Sequence, residues 1–233
     1  MQRSSLTRGC GVWRKGTPAA SRFDNAVLRE LPIDPEPKNY VRSNVAGACY
    51  SRVKPTPIAN PQLVLASKDA LKLAGIDVWR QESDADESVK GELVPVDDLV
   101  PFLAGNELFP GSETAAQCYC GHQFGYFSGQ LGDGAAIYLG EVVNDAKERW
   151  EMQLKGAGLT PYSRTADGRK VLVRALCSLL LCRSTLREFL ASEHMHALGV
   201  PTTRAASVVV SHETTVIRDM FYDGNPKKEP TAV

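Results

Sequence analysis

Residues 129–155 carry the most regular pattern of hydrophobic and polar positions in the chain. Residues 136–143 are a short, mostly aliphatic run, which is typical of a buried strand. Residues 144–148 are polar and predict a turn. Apolar and polar side chains then alternate in residues 149–155, where the apolar positions are Trp150, Met152 and Leu154. Alternation with a period of two predicts a second strand that buries one face and ends at Lys155.

A period of three to four residues predicts helices elsewhere in the chain. Residues 185–198 combine an apolar stripe with Thr185 and Glu188 at the spacing of a capping box, and a glycine follows as a stop signal. The stripe consists of Leu186, Phe189, Leu190, Ala197 and Leu198. Residues 67–74 begin with a serine cap and predict a second, shorter helix.

The remaining segments have less regular patterns. Residues 23–57 are rich in proline and are expected to be irregular and to wrap around the domain. Residues 81–98 are acidic and largely polar, which predicts a loop. Ser112 follows a Pro-Gly pair and is expected to cap a short helix. Residues 205–211 and 214–221 are rich in β-forming residues, and the polar pair between them predicts a hairpin.

The composition limits the class of protein. The chain has 233 residues, of which 43% are hydrophobic, and this is enough for one folded domain. Lys plus Arg and Asp plus Glu both total 27, so the overall charge gives no reason to expect nucleic-acid binding. No apolar run reaches the roughly 18 residues that a membrane-spanning helix needs. Cys118, Cys120 and His122 are too closely spaced for an ordinary zinc site, so we assign no metal ligand.

The first 21 residues have the composition of a targeting segment. They contain several hydroxyl residues together with Arg3, Arg8, Arg14 and Lys15, and no acidic residue occurs before Asp24. This composition favours a mitochondrial transit segment over a secretory signal, because a hydrophobic stretch is absent. A disordered basic start is the alternative interpretation.

A glycine-rich turn precedes the two predicted strands. Gly129, Gly132 and Gly134 have a G-x-x-G-x-G spacing, which is neither the dinucleotide-binding fingerprint nor the P-loop. Main-chain amides in such a turn can approach phosphate oxygens, and Lys155 would neutralise their charge. The charge of Asp133 opposes this interpretation, and a tight Asp-Gly hairpin turn is the alternative. The residues alone leave both interpretations open.

Several longer motifs resemble the selenoprotein O family and occur in the same order as in that family. The motifs are RFDN at 22–25, VKPTP at 53–57, YCGHQFG at 119–125, QLGDG at 130–134, LKGAGLTPYSR at 154–164, ADGRKVL at 166–172, LREFLASE at 186–193 and GVPTTRA at 199–205. The resemblance extends from about residue 22 to about residue 225. Because it covers most of the chain, it is highly specific.

The resemblance implies a fold class and a reaction. The family has a kinase-like fold, so this chain is expected to be an α+β, protein-kinase-like N-lobe with a small antiparallel sheet and one key helix. The family transfers AMP from ATP to Ser, Thr or Tyr hydroxyls of other proteins. The implied cofactors are therefore ATP and Mg²⁺, and the implied partners are protein substrates. The family includes mitochondrial members, which favours a mitochondrial location, with the cytoplasm as the alternative.

The resemblance also implies roles for individual residues. The nucleotide-binding residues that it carries over are Gly132, Gly134, Ala135, Lys155, Asp167 and Gly168. Ala135 stands where the family often has an arginine, so that only its main chain is available to a phosphate. Glu188 is implied to pair with Lys155, as the helix glutamate does in kinase-like folds. This role competes with the capping box, and the resemblance favours the ion pair.

Two departures from the family pattern affect what the chain is expected to do. Residues 173–182 interrupt a motif that is continuous in the family, between the Asp-Gly loop and the helix that carries Glu188. This insertion is expected to destabilise the domain. The family's catalytic Asp and its metal-binding Asn and Asp lie beyond Val233, so we assign no catalytic or metal-binding residue. We therefore expect a truncated variant in which the second lobe is missing.

The expected domain organisation follows from these boundaries. It consists of a transit segment at 1–21, an N-terminal extension at 22–110, the nucleotide-binding N-lobe at 111–225 and a truncated tail at 226–233. The first hypothesis is the ATP-phosphate-binding half of a protein adenylyltransferase, without activity of its own. The alternative is a non-catalytic fragment that binds nucleotide weakly or binds partners. A dinucleotide-dependent oxidoreductase is poorly supported, because no strand–GxGxxG–helix unit occurs.

Overall fold

The structure is a computed structural model, and it describes residues 23–76, 78–79, 94–163, 167–171, 185–219 and 224–233. The predictions for residues 1–21 and 173–182 lie outside these ranges, as does most of the loop predicted at 81–98. The described end of that segment is regular rather than loop, because it contains the strand Val94–Pro95 and part of a 3-10 helix. Within the ranges given above, none of the helices has the length and apolar character needed to cross a bilayer.

The described residues form an α+β fold with small, mainly antiparallel sheets. The helices are α1 (Ala26–Glu30), α2 (Lys68–Leu73), α3 (Val100–Leu103) and α4 (Thr185–Ala197), with a 3-10 helix at Val96–Leu99. The strands are β1 (Tyr50–Arg52), β2 (Gln62–Ala66), β3 (Val78–Trp79), β4 (Val94–Pro95), β5 (Ala115–Gln123), β6 (Tyr126–Gly132), β7 (Ala136–Val143), β8 (Arg149–Lys155), β9 (Lys170–Val171), β10 (Ser207–Arg218) and β11 (Lys227–Ala232). β3 and β4 form a separate parallel pair.

The first sheet contains the two strands that the hydrophobic pattern predicts. Its order is β1-β5-β7-β8, and β6 pairs with the outer half of β5. β7 and β8 are antiparallel from the Ala136–Lys155 pair to the Val143–Arg149 pair. β7 is buried along almost its whole length, whereas β8 alternates and exposes its polar residues. Both strand predictions are confirmed with their boundaries, because each strand carries its burial pattern in its own residues.

The second sheet has the order β2-β10-β11-β9 and corrects one prediction. The hairpin predicted around His212 and Glu213 is wrong, because residues 207–218 form one strand, which pairs with β11. The polar pair lies in an irregularity of the register between Ser211 and Thr215. There Ser211 Oγ accepts a hydrogen bond of 2.9 Å from the Thr214 amide. The turn signal is therefore absorbed by a bulge within a continuous strand.

The N-terminal segment is more regular than its proline content indicates. The prediction of irregular chain at 23–57 is wrong for α1 and for β1, which pairs with β5 in the first sheet. β2 similarly pairs with β10 in the second sheet. The segment at 22–110 therefore contributes one strand to each main sheet. α1 and β1 lie between the prolines and contain none themselves, so proline content alone does not exclude them.

Two local helix predictions have opposite outcomes. The helix predicted at 67–74 is confirmed as α2, and Ser67 Oγ accepts the Ala70 amide as its cap. The helix predicted after Ser112 is wrong, because the chain enters β5 at Ala115. Ser112 Oγ instead donates to Leu139 O of β7. Ser112 therefore binds the neighbouring sheet instead of capping a helix. The residues after it form a strand because they pair with neighbouring strands.

Both main sheets contribute to one apolar core. Ile137, Leu139 and Leu154 of the first sheet belong to the same buried cluster as Val209 of the second sheet and Phe102 of α3. Fully burying an apolar side chain of this size contributes about 1.5–3 kcal/mol. The shared cluster therefore fixes the end of β8, and with it Lys155, relative to the second sheet.

Candidate functional site

Lys155 lies at the end of β8, where the buried strand pair reaches the surface. It is paired with Ala136, the first residue of β7. The strand alternation directs the preceding residue, Leu154, into the core and leaves the Lys155 side chain 50% exposed. The lysine is thus anchored by a rigid strand while its ammonium group remains accessible to a ligand.

Glu188, in the first turn of α4, pairs with two lysines. Lys155 Nζ lies 2.7 Å from Glu188 Oε2, and Lys170 Nζ on β9 lies 2.9 Å from Glu188 Oε1. Partial burial would raise the pKa of Glu188, but the hydrogen bonds from Lys155 and Lys170 outweigh it and hold the pKa below its usual value. Glu188 is therefore a carboxylate that connects the first sheet, the second sheet and α4.

The alternative role of Glu188 in a capping box does not occur. Within the part of the chain that the structure describes, Thr185 Oγ1 is buried and has no hydrogen-bond partner. The glutamate carboxylate is engaged by lysines instead of turning back to the helix start. Two charged hydrogen bonds are stronger than one cap bond to a neutral amide.

The stripe predicted on α4 is only partly buried. Leu186 and Phe189 pack against the cluster that contains Val208 of β10. Leu190 is 61% exposed and Leu198 is 63% exposed. The helix therefore rests on the second sheet through its first half, which is the half that carries Glu188.

A cavity of about 190 Å³ opens between α4 and the two sheets. Lys155, Lys170 and Glu188 line it together with apolar side chains, among them Leu154 and Phe189. The cavity therefore combines an apolar wall with an ionised lysine–glutamate–lysine group. Such a combination suits a ligand that has an anionic part.

The Gly132–Gly134 turn lies beside Lys155 but is not a hairpin. β6 pairs with β5, whereas β7 pairs with β8 and β5, so the alternative of a tight Asp-Gly hairpin is wrong. Neither Gly132 nor Gly134 has a positive φ. A Cβ on Gly132 would lie 2.4 Å from Tyr162 Cγ, and one on Gly134 would lie 2.9 Å from Tyr162 O. Both positions require glycine because the segment around Tyr162 packs directly against the turn.

The amides of this turn are not bare. The Asp133 amide donates to Gln117 O and the Gly134 amide donates to Gly132 O, both at 2.9 Å. Burial raises the pKa of Asp133, although its carboxylate also accepts the Gln117 amide at 3.0 Å. The carbonyl of Ala135 accepts the Gly156 amide at 2.6 Å, which ties the turn to the residue after Lys155. The turn is therefore held rigidly next to the lysine.

Asp167 and Gly168 lie in the loop that leads to β9. Burial would raise the pKa of Asp167, but the guanidinium of Arg218, 2.5 Å away, helps to hold the pKa below its usual value. Gly168 has φ +71°, and a Cβ there would lie 1.8 Å from Gly158 O. The pair is thus packed against the segment that follows Lys155.

The structure brings only two of the predicted site residues into the cavity. Lys155 and Glu188 line it. The predicted residues that do not line it are Gly132, Gly134, Ala135, Asp167 and Gly168. The described residues contain no group of three or more His, Cys, Asp or Glu that could hold a metal ion.

A model of the protein family described as Protein adenylyltransferase SelO matches residues 42–233. The chain belongs to the protein adenylyltransferase SelO family. The matched region includes every predicted site residue from Gly132 to Glu188. All of the motifs quoted for the resemblance except RFDN at 22–25 lie within the matched region.

Several curated proteins are similar to most of this chain. The mouse protein, from Mus musculus, is named Protein adenylyltransferase SelO, mitochondrial; it is 53% identical over 92% of this chain and 30% of its own length. The human protein of the same name is 52% identical over 92% of this chain and 30% of its own length. Protein nucleotidyltransferase YdiU of Azoarcus sp. (strain BH72) is 54% identical over 91% of this chain and 36% of its own length. The chain thus spans about a third of the length of the curated relatives it matches.

Sequence reasoning missed three residues that organise the site. Lys170 is the second partner of Glu188. Glu193 of α4 accepts two hydrogen bonds of 2.8 Å from Arg204, and Ser67 Oγ donates to it at 2.7 Å. The hydrogen bonds from Arg204 lower the pKa of Glu193 to about 2. The three missed residues, Lys170, Glu193 and Arg204, all lie in the family motifs, but motif membership does not reveal which side chains meet.

Proposed function

We propose that this chain forms the ATP-phosphate-binding part of a protein adenylyltransferase, in a protein-kinase-like N-lobe. The observation that carries the proposal is the 2.7 Å ion pair between Lys155 Nζ and Glu188 Oε2 in the wall of the cavity. In kinase-like folds a strand lysine paired with a helix glutamate contacts the phosphates of ATP. An antiparallel sheet, one long helix and membership of the SelO family support the same assignment.

Lys155 is the main charged phosphate contact in this proposal. Its side chain is half exposed, so a phosphate oxygen can reach it without displacing core residues. Gly132, Gly134 and Ala135 hold the main chain of the turn at the same edge, next to the Lys155–Ala136 pair. Since the Asp133 and Gly134 amides already donate within the protein, the lysine side chain supplies more of the attraction than the turn does.

Asp167 and Gly168 contribute by shaping the loop beside the site. Asp167 would contact the nucleotide only after exchanging its ion pair with Arg218. Its carboxylate and that of Glu188 are both neutralised by cations, so these two residues do not form a metal site as they stand. Mg²⁺ would therefore arrive with ATP, and we assign no step to a metal held by the described residues.

The proposed reaction of the complete enzyme is the transfer of AMP to a protein. The oxygen of a Ser, Thr or Tyr hydroxyl attacks the α-phosphorus of ATP, the bond to the β-phosphate breaks, and pyrophosphate leaves as the hydroxyl proton passes to a base. Lys155 would hold the phosphates and neutralise their charge during this transfer. We assign no protein-substrate contact to the cavity wall, whose lysines suit a phosphate.

Calorimetric titration with ATP tests the phosphate contact. Lys155→Met should lose about 1.5–3 kcal/mol of binding free energy, as expected for a hydrogen bond to a charged group, which is about tenfold or more in affinity. Lys72→Met is the matched control, because Lys72 is an exposed lysine on α2 that does not line the cavity. Equal ATP affinity of the wild type and Lys155→Met would refute the assignment.

The polypeptide of 233 residues is expected to bind ATP without transferring AMP. Glu188 and Asp167 are both engaged in ion pairs, which leaves neither of these two carboxylates as a base for the attacking hydroxyl. Incubation with ATP labelled on the α-phosphate, Mg²⁺ or Mn²⁺, and an acceptor protein measures the transfer. Metal-dependent label that disappears in Lys155→Met would contradict this expectation.

The second candidate function is non-catalytic binding of nucleotide or of a partner.

A mitochondrial location is part of the proposal. The basic, acid-free composition of residues 1–21 supports it, and the names of the mouse and human relatives include the word mitochondrial. A fluorescent protein fused behind residues 1–21 should enter mitochondria, whereas the same fusion with its four basic residues replaced by glutamine should not. Cytoplasmic fluorescence of the unchanged fusion would favour the alternative location.

A further inference from the structure

Helix α4 makes few apolar contacts with the rest of the protein. Each of its 13 residues, all of which are described, keeps part of its surface exposed. Leu186 and Phe189, both in its first half, pack against the apolar cluster of the second sheet. In its second half Met195 is exposed. Apolar packing therefore attaches mainly the first half of the helix.

Glu193 occupies the place where the apolar stripe of α4 would continue. Leu186, Phe189 and Glu193 are spaced by three and then four residues, so they lie on one face of the helix, the face that rests on the second sheet. The Glu193 side chain is 22% exposed, and that of its partner Arg204 is 9% exposed. A largely covered ion pair therefore stands where an apolar contact would continue the stripe.

The Glu193 carboxylate accepts four hydrogen bonds. Arg204 binds both oxygens, with Nε 2.8 Å from Oε1 and Nη2 2.8 Å from Oε2. Ser67 Oγ donates to Oε2 at 2.7 Å, and the Ala205 amide donates to Oε1 at 3.1 Å. A two-pronged contact between arginine and a carboxylate fixes orientation as well as distance. The ion pair therefore holds the helix in one geometry, whereas apolar contacts are not directional.

The partners of Glu193 belong to the ordered edge of the second sheet. Ser67 directly follows β2, and its amide donates to Ala206 O at 2.9 Å. Arg204 and Ala205 lie just before β10, which is paired with β2. Glu193 therefore ties α4 to a part of the main chain that is already fixed by strand pairing.

The position of α4 along its axis decides whether Glu188 reaches Lys155. Glu188 lies five residues before Glu193, which is about 7.5 Å along a helix. A shift of the helix by one residue would move Glu188 by about 1.5 Å and turn it by about 100°. Such a shift would break the 2.7 Å contact between Glu188 Oε2 and Lys155 Nζ. A directional anchor at Glu193 prevents it.

We propose that Glu193 is a positioning residue of the phosphate site, which fixes α4 on the second sheet so that Glu188 meets Lys155. Glu193 does not line the cavity, so it acts through Glu188. The inference rests on the proposed function where it concerns ATP. The placement of Glu188 against Lys155, in contrast, can be measured without nucleotide.

The direction of the effect on ATP distinguishes positioning from charge. Arg204 lines the cavity, and Glu193 and Asp69 are the carboxylates that act on it. Loss of the Glu193 charge would leave Arg204 less neutralised, so charge alone would make Glu193→Gln bind ATP more tightly. Positioning predicts a loss of about three- to tenfold, because residues in one contact network couple by amounts of this order. Glu193→Asp keeps the charge but is one methylene shorter, so it should also weaken ATP binding.

The first experiment is calorimetric titration with ATP of the wild type, Glu193→Gln and Glu193→Asp, each also combined with Glu188→Gln. Because Glu193 acts through Glu188, its replacement should cause no further loss when Glu188→Gln is present. Glu113→Gln is the matched control, since Glu113 also pairs with an arginine, Arg52, and lies outside the cavity. It should leave the ATP affinity unchanged. Circular dichroism verifies that each variant is folded at the temperature of the titration.

The second experiment measures the ion pair of the site without nucleotide. Urea unfolding of Lys155→Met, Glu188→Gln and the double variant gives the coupling between Lys155 and Glu188. The same cycle is then repeated in the Glu193→Gln chain, where the coupling should fall about twofold or more. Glu193→Asp takes the place of Glu193→Gln in this cycle if the latter does not fold.

The outcomes separate this inference from the proposed function. A wild-type chain that does not bind ATP would refute the proposed function, and the urea cycle would still decide the role of Glu193. Unchanged or tighter ATP binding in both Glu193 variants would overturn that role, while a loss in Lys155→Met would leave the proposed function standing. Equal losses with and without Glu188, or an unchanged coupling, would also overturn it. A loss confined to chains that retain Glu188, together with a reduced coupling, would support it.

Discussion

Replacing Gly132 with alanine tests whether packing requires glycine at this position in the absence of nucleotide. An ideal Cβ there would lie 2.4 Å from Tyr162 Cγ and 2.8 Å from Gln117 O. A change of rotamer would not relieve the overlap, because the new Cβ would also lie 2.8 Å from Tyr162 Cβ, which no rotamer moves, and the Gln117 oxygen belongs to the main chain of β5. Overpacking of this kind costs about 1–3 kcal/mol, and the rigid neighbours place Gly132→Ala in the upper part of that range.

Thermal unfolding without nucleotide measures this cost. For a chain of this size about 1 kcal/mol shifts the melting temperature by roughly 2–4 °C, so we expect a decrease of about 5–10 °C. Gly121→Ala is the matched control, because Gly121 lies on the same strand as Gln117, lacks a positive φ and has no contact shorter than 4.0 Å at the Cβ position. The control should change the free energy of unfolding by no more than about 0.5 kcal/mol.

One result would refute the packing argument. If Gly132→Ala melted at the wild-type temperature and lost ATP affinity, the glycine would serve the nucleotide and the segment around Tyr162 would adjust without cost. A lower melting temperature in the absence of ligand, with Gly121→Ala unaffected, would instead establish that Gly132 is needed for the close approach of two segments. That result would also explain the glycine at position 132 by packing alone, with no need for a bound phosphate.

Two further substitutions test buried or clustered charges. Glu193→Gln should lower the free energy of unfolding at neutral pH. The folded-state pKa of Glu193 is about 2, against the usual 4.5, so its ionised carboxylate stabilises the folded wild type above pH 4.5. This stabilisation is lost as the pH falls from 4.5 to 2. Urea unfolding between pH 2 and pH 7 measures this contribution to stability. If the free energies of unfolding of the wild type and Glu193→Gln changed in parallel with pH, the role of the ion pair would be contradicted. Asp34→Asn should cost about 3 kcal/mol, the lower end of the range for breaking a buried ion pair, because Arg42, whose side chain is only 14% exposed, would lose its anion. Its control, Asp24→Asn, affects exposed ion pairs and should change stability little, so similar urea midpoints for the two variants would refute the argument.

The elements that the sequence predicted correctly are those whose pattern is local. β7 and β8 were recognised with their boundaries because each residue's burial follows from the strand period. α2 was recognised because Ser67 binds an amide only three residues away. Membership of the SelO family was also readable, since the motifs are continuous stretches of sequence. In each of these examples the sequence pattern and the structural feature that it predicts involve the same short stretch of residues.

The tertiary structure decided which distant partners meet. Ser112 carries a capping signal, yet Leu139 O takes its hydroxyl and β5 follows. Glu188 fitted either a capping box or an ion pair, and two lysines from different sheets determined the ion pair. Gly132 was readable as a phosphate-binding or a hairpin glycine, and the closeness of Tyr162 gives a third reason for it. These contacts join residues far apart in the chain, and their free energies exceed the small local preferences that a sequence pattern expresses.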